Sequence, residues 1–105
     1  MTTTTAAADP PPGWVYTIHL HTRLGGPGRN GALHYTGWAC DHGLLGRLLD
    51  HRHGHGAAML AWCAAAGITW HLGALQRGDR ALERRLKQHG AARRCWTCQA
   101  ARDRA

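Results

Sequence analysis

Few side chains in this sequence can hold a metal or move a proton from a rigid frame. Of its six carboxylates, Asp9 and Asp103 stand near the two ends, and Asp79 is placed to cap a helix, which leaves Asp41, Asp50 and Glu83. Glu83 is the strongest candidate of these three, because it falls inside a predicted helix, where a stiff backbone holds a carboxylate in position. Arg47 and His51 lie four residues apart in another predicted helix and project from one side of it. Tyr16 and Tyr35 fall in two alternating runs. A carboxylate for a divalent metal, a guanidinium for an anionic oxygen, and a phenol or imidazole to take a proton from water are what hydrolysis of a phosphodiester requires. Free tyrosine titrates at about pH 10, so it serves as a base only beside positive charge or a second group that takes its proton.

A separate constellation, Cys95-Trp96-Thr97-Cys98, is half of a zinc site. Its missing ligands are sought at His89, near in sequence, or at Cys40 or Cys63 if the fold brings them close. Cys63, between Trp62 and Ala64 in an apolar run, reads as core. His19, His21, His34, His53 and His55 read as surface or loop residues, with His53 and His55 placed to touch a nucleic acid or assist proton transfer.

The elements that must position these groups follow from periodicity. Trp14, Tyr16, Ile18 and Leu20 alternate with Val15, Thr17 and His19, which predicts a first strand, and Leu33 to Trp38 alternate in a second. The glycine-rich stretch Leu24 to Gly31 between them is a hairpin loop longer than two residues, so the strands run antiparallel. Leu44, Leu45, Leu48 and Leu49 predict an amphipathic helix from Gly43 to His51 or Arg52, packed by its leucines with Arg47 and His51 flanking them. Residues 53–56 break it. Ala57 to Ala66 form a second helix stopped by Gly67, and Ile68, Trp70 and Leu72 a third strand ending near Gly73. Asp79 caps a last helix running to about His89, with Leu82 and Leu86 buried. The order is β-β-α-α-β-α: an α+β fold, a small three-stranded antiparallel sheet flanked by helices.

The 105 residues suffice for one core. Residues 1–12, with runs of Thr, Ala and Pro, are expected to be a disordered tail, 13–90 the folded domain, and 91–105 a basic tail carrying the cysteine pair. Thirteen basic against six acidic residues favour polyanionic partners, DNA above all. No secretory signal is recognisable, and the most apolar run is far shorter than the roughly 20 residues of a membrane span, so the expectation is a cytoplasmic protein. There, four cysteines read as thiols or metal ligands before disulfides.

Val15-Tyr16 in the first strand, Tyr35-Thr36-Gly37 in the second, Arg47 with His51, and Glu83 in Glu83-Arg84-Arg85-Leu86-Lys87 together resemble the GIY-YIG nuclease family, in the family's order and over about Trp14 to Lys87. The resemblance implies an enzyme, a DNA endonuclease that hydrolyses one strand per active site. Tyr16, Tyr35, Arg47, His51 and Glu83 are then its catalytic residues. Glu83 would hold Mg2+ or Mn2+, Arg47 would clamp the scissile phosphate, and Tyr16 or Tyr35 would activate water with help from His51. Double-strand cleavage would need a homodimer or two successive events, and sequence specificity in so short a chain would come from a specificity partner. The sequence departs from the family in lacking the glycine and isoleucine of the first motif, in Thr36 and Trp38, in a longer first loop, and in having no match to the asparagine many members carry after the glutamate. Two other readings fit those departures: a nucleic-acid-binding module on the same fold that does not cut, and an interaction protein stapled by zinc at Cys95 and Cys98.

Overall fold

The alternation in the first strand decides the architecture, because that strand becomes the centre of the sheet. The computed structural model describes residues 13–26 and 31–104. In it β1 (Gly13–Leu20) pairs antiparallel with β2 (His34–Cys40) on one side and β3 (Trp70–Gly78) on the other, giving the order β2-β1-β3. Helices α1 (Leu44–Arg52) and α2 (Ala58–Ala66) join β2 to β3, and α3 (Arg80–Lys87) follows β3. The fold is α+β, as expected from the pattern. The expected tail at 1–12 and the tip of the first loop lie outside the described residues; the base of that loop is closed by Leu24 N–H donating to the Ala32 carbonyl at 2.9 Å. No described helix is long and apolar enough to cross a membrane.

Successive residues of β1 point to opposite faces, and both faces are covered. On one, Tyr16, Ile18 and Leu20 pack with Trp70 and Ala39 beneath Leu60 and Cys63 of α2 and Leu44 and Leu48 of α1. Cys63 is core, as expected. Val15, Ile18, Leu20 and Leu60 are the aliphatic side chains exposed by 2% or less, and each contributes about 1.5–3 kcal/mol by burial, so the apolar core is thin. Buried polar side chains, Thr17, Thr36, His51 and Glu83, fill much of the rest.

Three local expectations are corrected. Helix α1 does not pack by all four leucines: Leu45 and Leu49 are 72% and 54% exposed, and His51 is buried. A nine-residue helix lying on a sheet presents one row inward, here positions 44, 48 and 51, so His51 belongs to the buried row instead of flanking it. Strand β3 does not end at Gly73 but runs to Gly78. The register shifts between Thr17 and Ile18, which oppose Ala74 and Leu72, so Gly73 is the extra residue of a bulge. Residues 91–104 are not a trailing segment. They form a 3-10 turn (Ala91–Arg93) and a helix, α4 (Trp96–Arg104), which cover the second face of the sheet, over Thr17, His19, His34 and Thr36.

The capping expectations hold. The Asp79 carboxylate accepts from the Leu82 N–H at 2.9 Å, and Gly67 ends α2 with φ 73°, a conformation that favours glycine.

Candidate functional site

Strand register brings the two tyrosines together diagonally. Tyr16 lies opposite Gly37 and Tyr35 opposite Ile18, which puts both rings on the face that receives α1, with centroids 6.4 Å apart. Gly37 is required by this approach: a β-carbon there would fall 2.5 Å from Cζ of Tyr16. From α1, the His51 ring comes down between them, with its centroid 5.7 Å from Tyr16 and 5.5 Å from Tyr35.

The Tyr16 hydroxyl is 2.7 Å from His51 Nε2, a buried contact. His51 Nδ1 is 3.0 Å from the carbonyl of His55. A carbonyl can only accept, so Nδ1 carries the ring proton, Nε2 is the acceptor, and Tyr16 O–H donates to it. The turn after α1 sets this tautomer. It does so through Gly56, at φ 90°, where a β-carbon would lie 3.4 Å from both Arg47 Nη1 and His51 Cε1. Arg47 and His51 thus border the same gap, as their spacing predicts.

Burial, above all, raises the pKa of Tyr16 above the ordinary phenol value, with Tyr35 and the Glu83 carboxylate adding to it and the Arg47 and Arg80 charges opposing it. Burial also lowers the pKa of His51; the His55 carbonyl and Asp50 oppose that shift, and Arg47 adds to it. The pair therefore rests as neutral phenol and neutral imidazole, with both shifts holding the proton on the Tyr16 oxygen. Glu83 is 8% exposed, with Lys87 Nζ 3.3 Å from Oε2 and Arg80 Nη1 3.8 Å from Oε1. The rings of Tyr16, Tyr35 and His51, from β1, β2 and α1, thus lie within 6.4 Å of one another, with Arg47 beside His51 and the charges of Arg47 and Glu83 acting on Tyr16.

The other carboxylates are placed elsewhere. Asp41 accepts from Arg77 at 2.7 Å and from Trp14 Nε1 at 2.9 Å, Asp79 caps α3, and Asp50 is exposed. Trp38 and Thr36 have structural work. Trp38 crosses over Gly13 so that Nε1 donates to the Gly78 carbonyl at 2.9 Å, and Arg80 stacks on its ring. Thr36 accepts from Arg94 Nη2 at 2.7 Å, while Nε and Nη1 of the same guanidinium reach Thr17 Oγ1 and the Leu86 carbonyl, each at 3.1 Å. Arg94 does not stand out in the sequence, because an arginine in a basic segment carries no signal until the fold brings threonines to it.

A second group lies on the opposite face. His19 Nδ1, His34 Nε2, Cys95 Sγ and Cys98 Sγ all lie within 4.8 Å of one another and could hold a metal ion. The partners sought for Cys95 and Cys98 are therefore corrected: neither His89, Cys40 nor Cys63 joins them, and His19 and His34, expected at the surface, do. Their cross-strand pairing in β1 and β2 was the available signal, since both strands alternate and His19 opposes His34. Burial first, then His19, Arg94 and Arg23, push His34 down to about 4, so its nitrogen is unprotonated at neutral pH.

Comparison with known proteins assigns no family: no family model matches the chain, and neither a curated protein nor a solved structure matches it.

Proposed function

We propose that this chain is a metal-dependent endonuclease that hydrolyses DNA phosphodiester bonds, similar in its working parts to the GIY-YIG nucleases. One observation carries the reading: the Tyr16 hydroxyl donates to a neutral, buried His51, with Tyr35 packed against both rings and the charges of Arg47 and Glu83 acting on Tyr16. A buried phenol does not ionise easily alone. With Nε2 at 2.7 Å, it passes its proton to His51 as it takes one from the attacking water, so no free phenolate is needed. The water oxygen bonds to phosphorus as its proton is relayed to His51, the bond to the leaving oxygen breaks, and that oxygen takes a proton from His51 or from solvent, which restores the resting pair.

Arg47 holds the phosphate, a task for which its planar fork and permanent charge suit it. Glu83 fits a divalent ion of the magnesium class, which is commonly held by one or two carboxylates with water and substrate phosphate completing its shell. When bound, Mg2+ or Mn2+ supplies positive charge opposite the negative charge that develops on the phosphate and leaving oxygen. Zinc is the second metal in this reading, at the His19, His34, Cys95 and Cys98 group on the other face. One site cuts one strand, so the monomer nicks, and paired cuts take a homodimer or two successive events.

The test is a supercoiled-plasmid assay with the purified full chain and Mg2+ or Mn2+. Relaxation to the nicked circle is expected, with Glu83→Gln at least about 100-fold slower, since a metal of this kind supplies several kcal/mol to the transition state. Intact plasmid with wild-type protein, or equal rates for the two, rejects the reading. Salt-dependent binding of DNA without relaxation would select a module that binds but does not cut.

A further inference from the structure

The polar cluster on the second face has the dimensions of a filled metal site. A tetrahedral zinc ion with Zn–N of about 2.05 Å and Zn–S of about 2.3 Å holds its ligand atoms about 3.3 Å apart for two nitrogens and about 3.6 Å for nitrogen and sulfur. Here His19 Nδ1 and His34 Nε2 are 3.2 Å apart. The nitrogen–sulfur separations are 3.4 Å for His19 with Cys95, 3.7 Å for His19 with Cys98 and 3.4 Å for His34 with Cys98. Four of the six separations thus match zinc spacing, and all four ligand atoms lie within 4.8 Å of one another.

The surroundings serve those donors. Cys95 immediately precedes α4 and Cys98 lies in its first turn, with Gln99 N–H donating to the Cys95 carbonyl at 2.9 Å, and the positive end of a helix favours thiolates. Gly73 clears the floor of the site: a β-carbon there would lie 2.9 Å from Cys95 Sγ, so the bulge in β3 makes room for the sulfur. Thr97, between the cysteines, is bonded to His71 Nε2 at 2.6 Å, and His71 Nδ1 meets His21 Nε2 at 2.8 Å. Contacts of this kind hold metal ligands in place.

We propose that His19, His34, Cys95 and Cys98 bind one zinc ion in a closed tetrahedral site that staples α4 to the back of the sheet and steadies the end of the helix carrying Glu83. With four protein ligands the ion has no open position, so the site is structural, and loading it releases the two thiol protons to solvent. The link to α3 is Arg94. Fixing Cys95 fixes its neighbour Arg94, whose guanidinium ties Thr17 and Thr36 to the Leu86 carbonyl at the end of α3. A thin apolar core gives such a staple weight.

Full chain purified without added metal, then titrated with Zn2+, is expected to carry one zinc per chain by elemental analysis. Its cobalt-exchanged form is expected to show tetrahedral d–d bands with a thiolate-to-cobalt charge-transfer band. Stripping zinc with a chelator is expected to lower the melting temperature by at least about 10 °C and to speed hydrogen exchange over residues 86–104 more than in α1 and α2. Less than half an equivalent of zinc after titration, cobalt bound without the thiolate band, or a Cys95–Cys98 disulfide that persists with zinc present would overturn the proposal. These measurements use the wild-type chain, so they do not depend on a ligand variant folding, and they are independent of whether the chain cuts DNA.

Discussion

Substituting Gly37 with alanine tests the geometry of the tyrosine site without touching any group that does chemistry. The added methyl would lie 2.5 Å from Cζ and 2.9 Å from Cε1 of Tyr16, whereas carbon atoms settle about 3.5–4.0 Å apart. Either the ring or strand β2 must retreat by about 1 Å, which stretches the 2.7 Å contact with His51 to about 3.7 Å and ends it as a hydrogen bond. Forcing a methyl into a packed site costs about 1–3 kcal/mol, and leaving the buried phenol and imidazole unpaired costs about 1–3 kcal/mol more. The sum, about 2–6 kcal/mol, is a large part of the roughly 5–15 kcal/mol that holds a domain together. Gly46→Ala is the control. Gly46 lies within α1, and a β-carbon there would meet nothing within 4 Å, so the same change should stabilise by about 0.8–1.0 kcal/mol through helix propensity. Thermal denaturation followed by the fluorescence of the five tryptophans reads both. Gly37→Ala should melt about 10 °C or more below wild type, and Gly46→Ala several degrees above it. Equal stability of Gly37→Ala and wild type, or a shift of both variants in one direction, refutes the packing argument.

Tyr16→Phe keeps the ring in place but leaves Nε2 of His51 without a donor, so it should lose about 1–3 kcal/mol in urea and also lose nicking activity; a variant unchanged in both removes Tyr16 from the site. Arg47→Lys keeps the charge and loses the fork, and should nick about 10–100-fold more slowly with less than about 0.5 kcal/mol change in stability, whereas equal rates would leave Arg47 without a phosphate to hold. His51 has a pKa lowered below 6.5, chiefly by burial, so its stabilising effect is complete above the unfolded value and is lost as pH falls through the folded one. Protonating Nε2 also removes the acceptor for Tyr16, so the acid limb of the nicking rate should have its midpoint below 6.5; a midpoint above that value refutes neutral His51 as the proton acceptor.

Where periodicity is strong, the fold was legible. Alternation located β1 and β2, and glycine and aspartate at helix ends located Gly67 and Asp79, because these signals are local. The errors arose where a residue's meaning depends on distant partners. Gly73 reads as a stop in one dimension, and only the register against Thr17 and Ile18 makes it a bulge. Leu45 and Leu49 look like half of an apolar stripe, yet a short helix on a sheet buries one row, and His51 holds the place they were expected to take. The meeting of Tyr16, Tyr35 and His51 follows from elements whose order and direction the pattern already implied. The grouping of His19 and His34 with the cysteines was not legible, since Cys98 is 79 and 64 residues away from them, on a helix that the composition of residues 91–104 disguised as a tail.

The two constellations are less separate than their positions on opposite faces suggest. Tyr16 and His19 are an odd number of residues apart in β1, and His34 and Tyr35 are neighbours in β2, so one hairpin sends the tyrosines to one face and the histidines to the other. A slip of one residue would exchange the faces and lose both groups together. His19 directly opposes His34 in the register, so an ion bridging those two side chains pins the pairing that sets Tyr35 diagonally beside Tyr16. A metal bound on the back of the sheet would thereby help specify the geometry of the front through the backbone ladder. Arg94 supplies a second connection, from the cysteine turn to the end of α3. A zinc-free chain should therefore hold Tyr16, Tyr35 and Glu83 less well in their common arrangement even while α1 still delivers Arg47 and His51 to it.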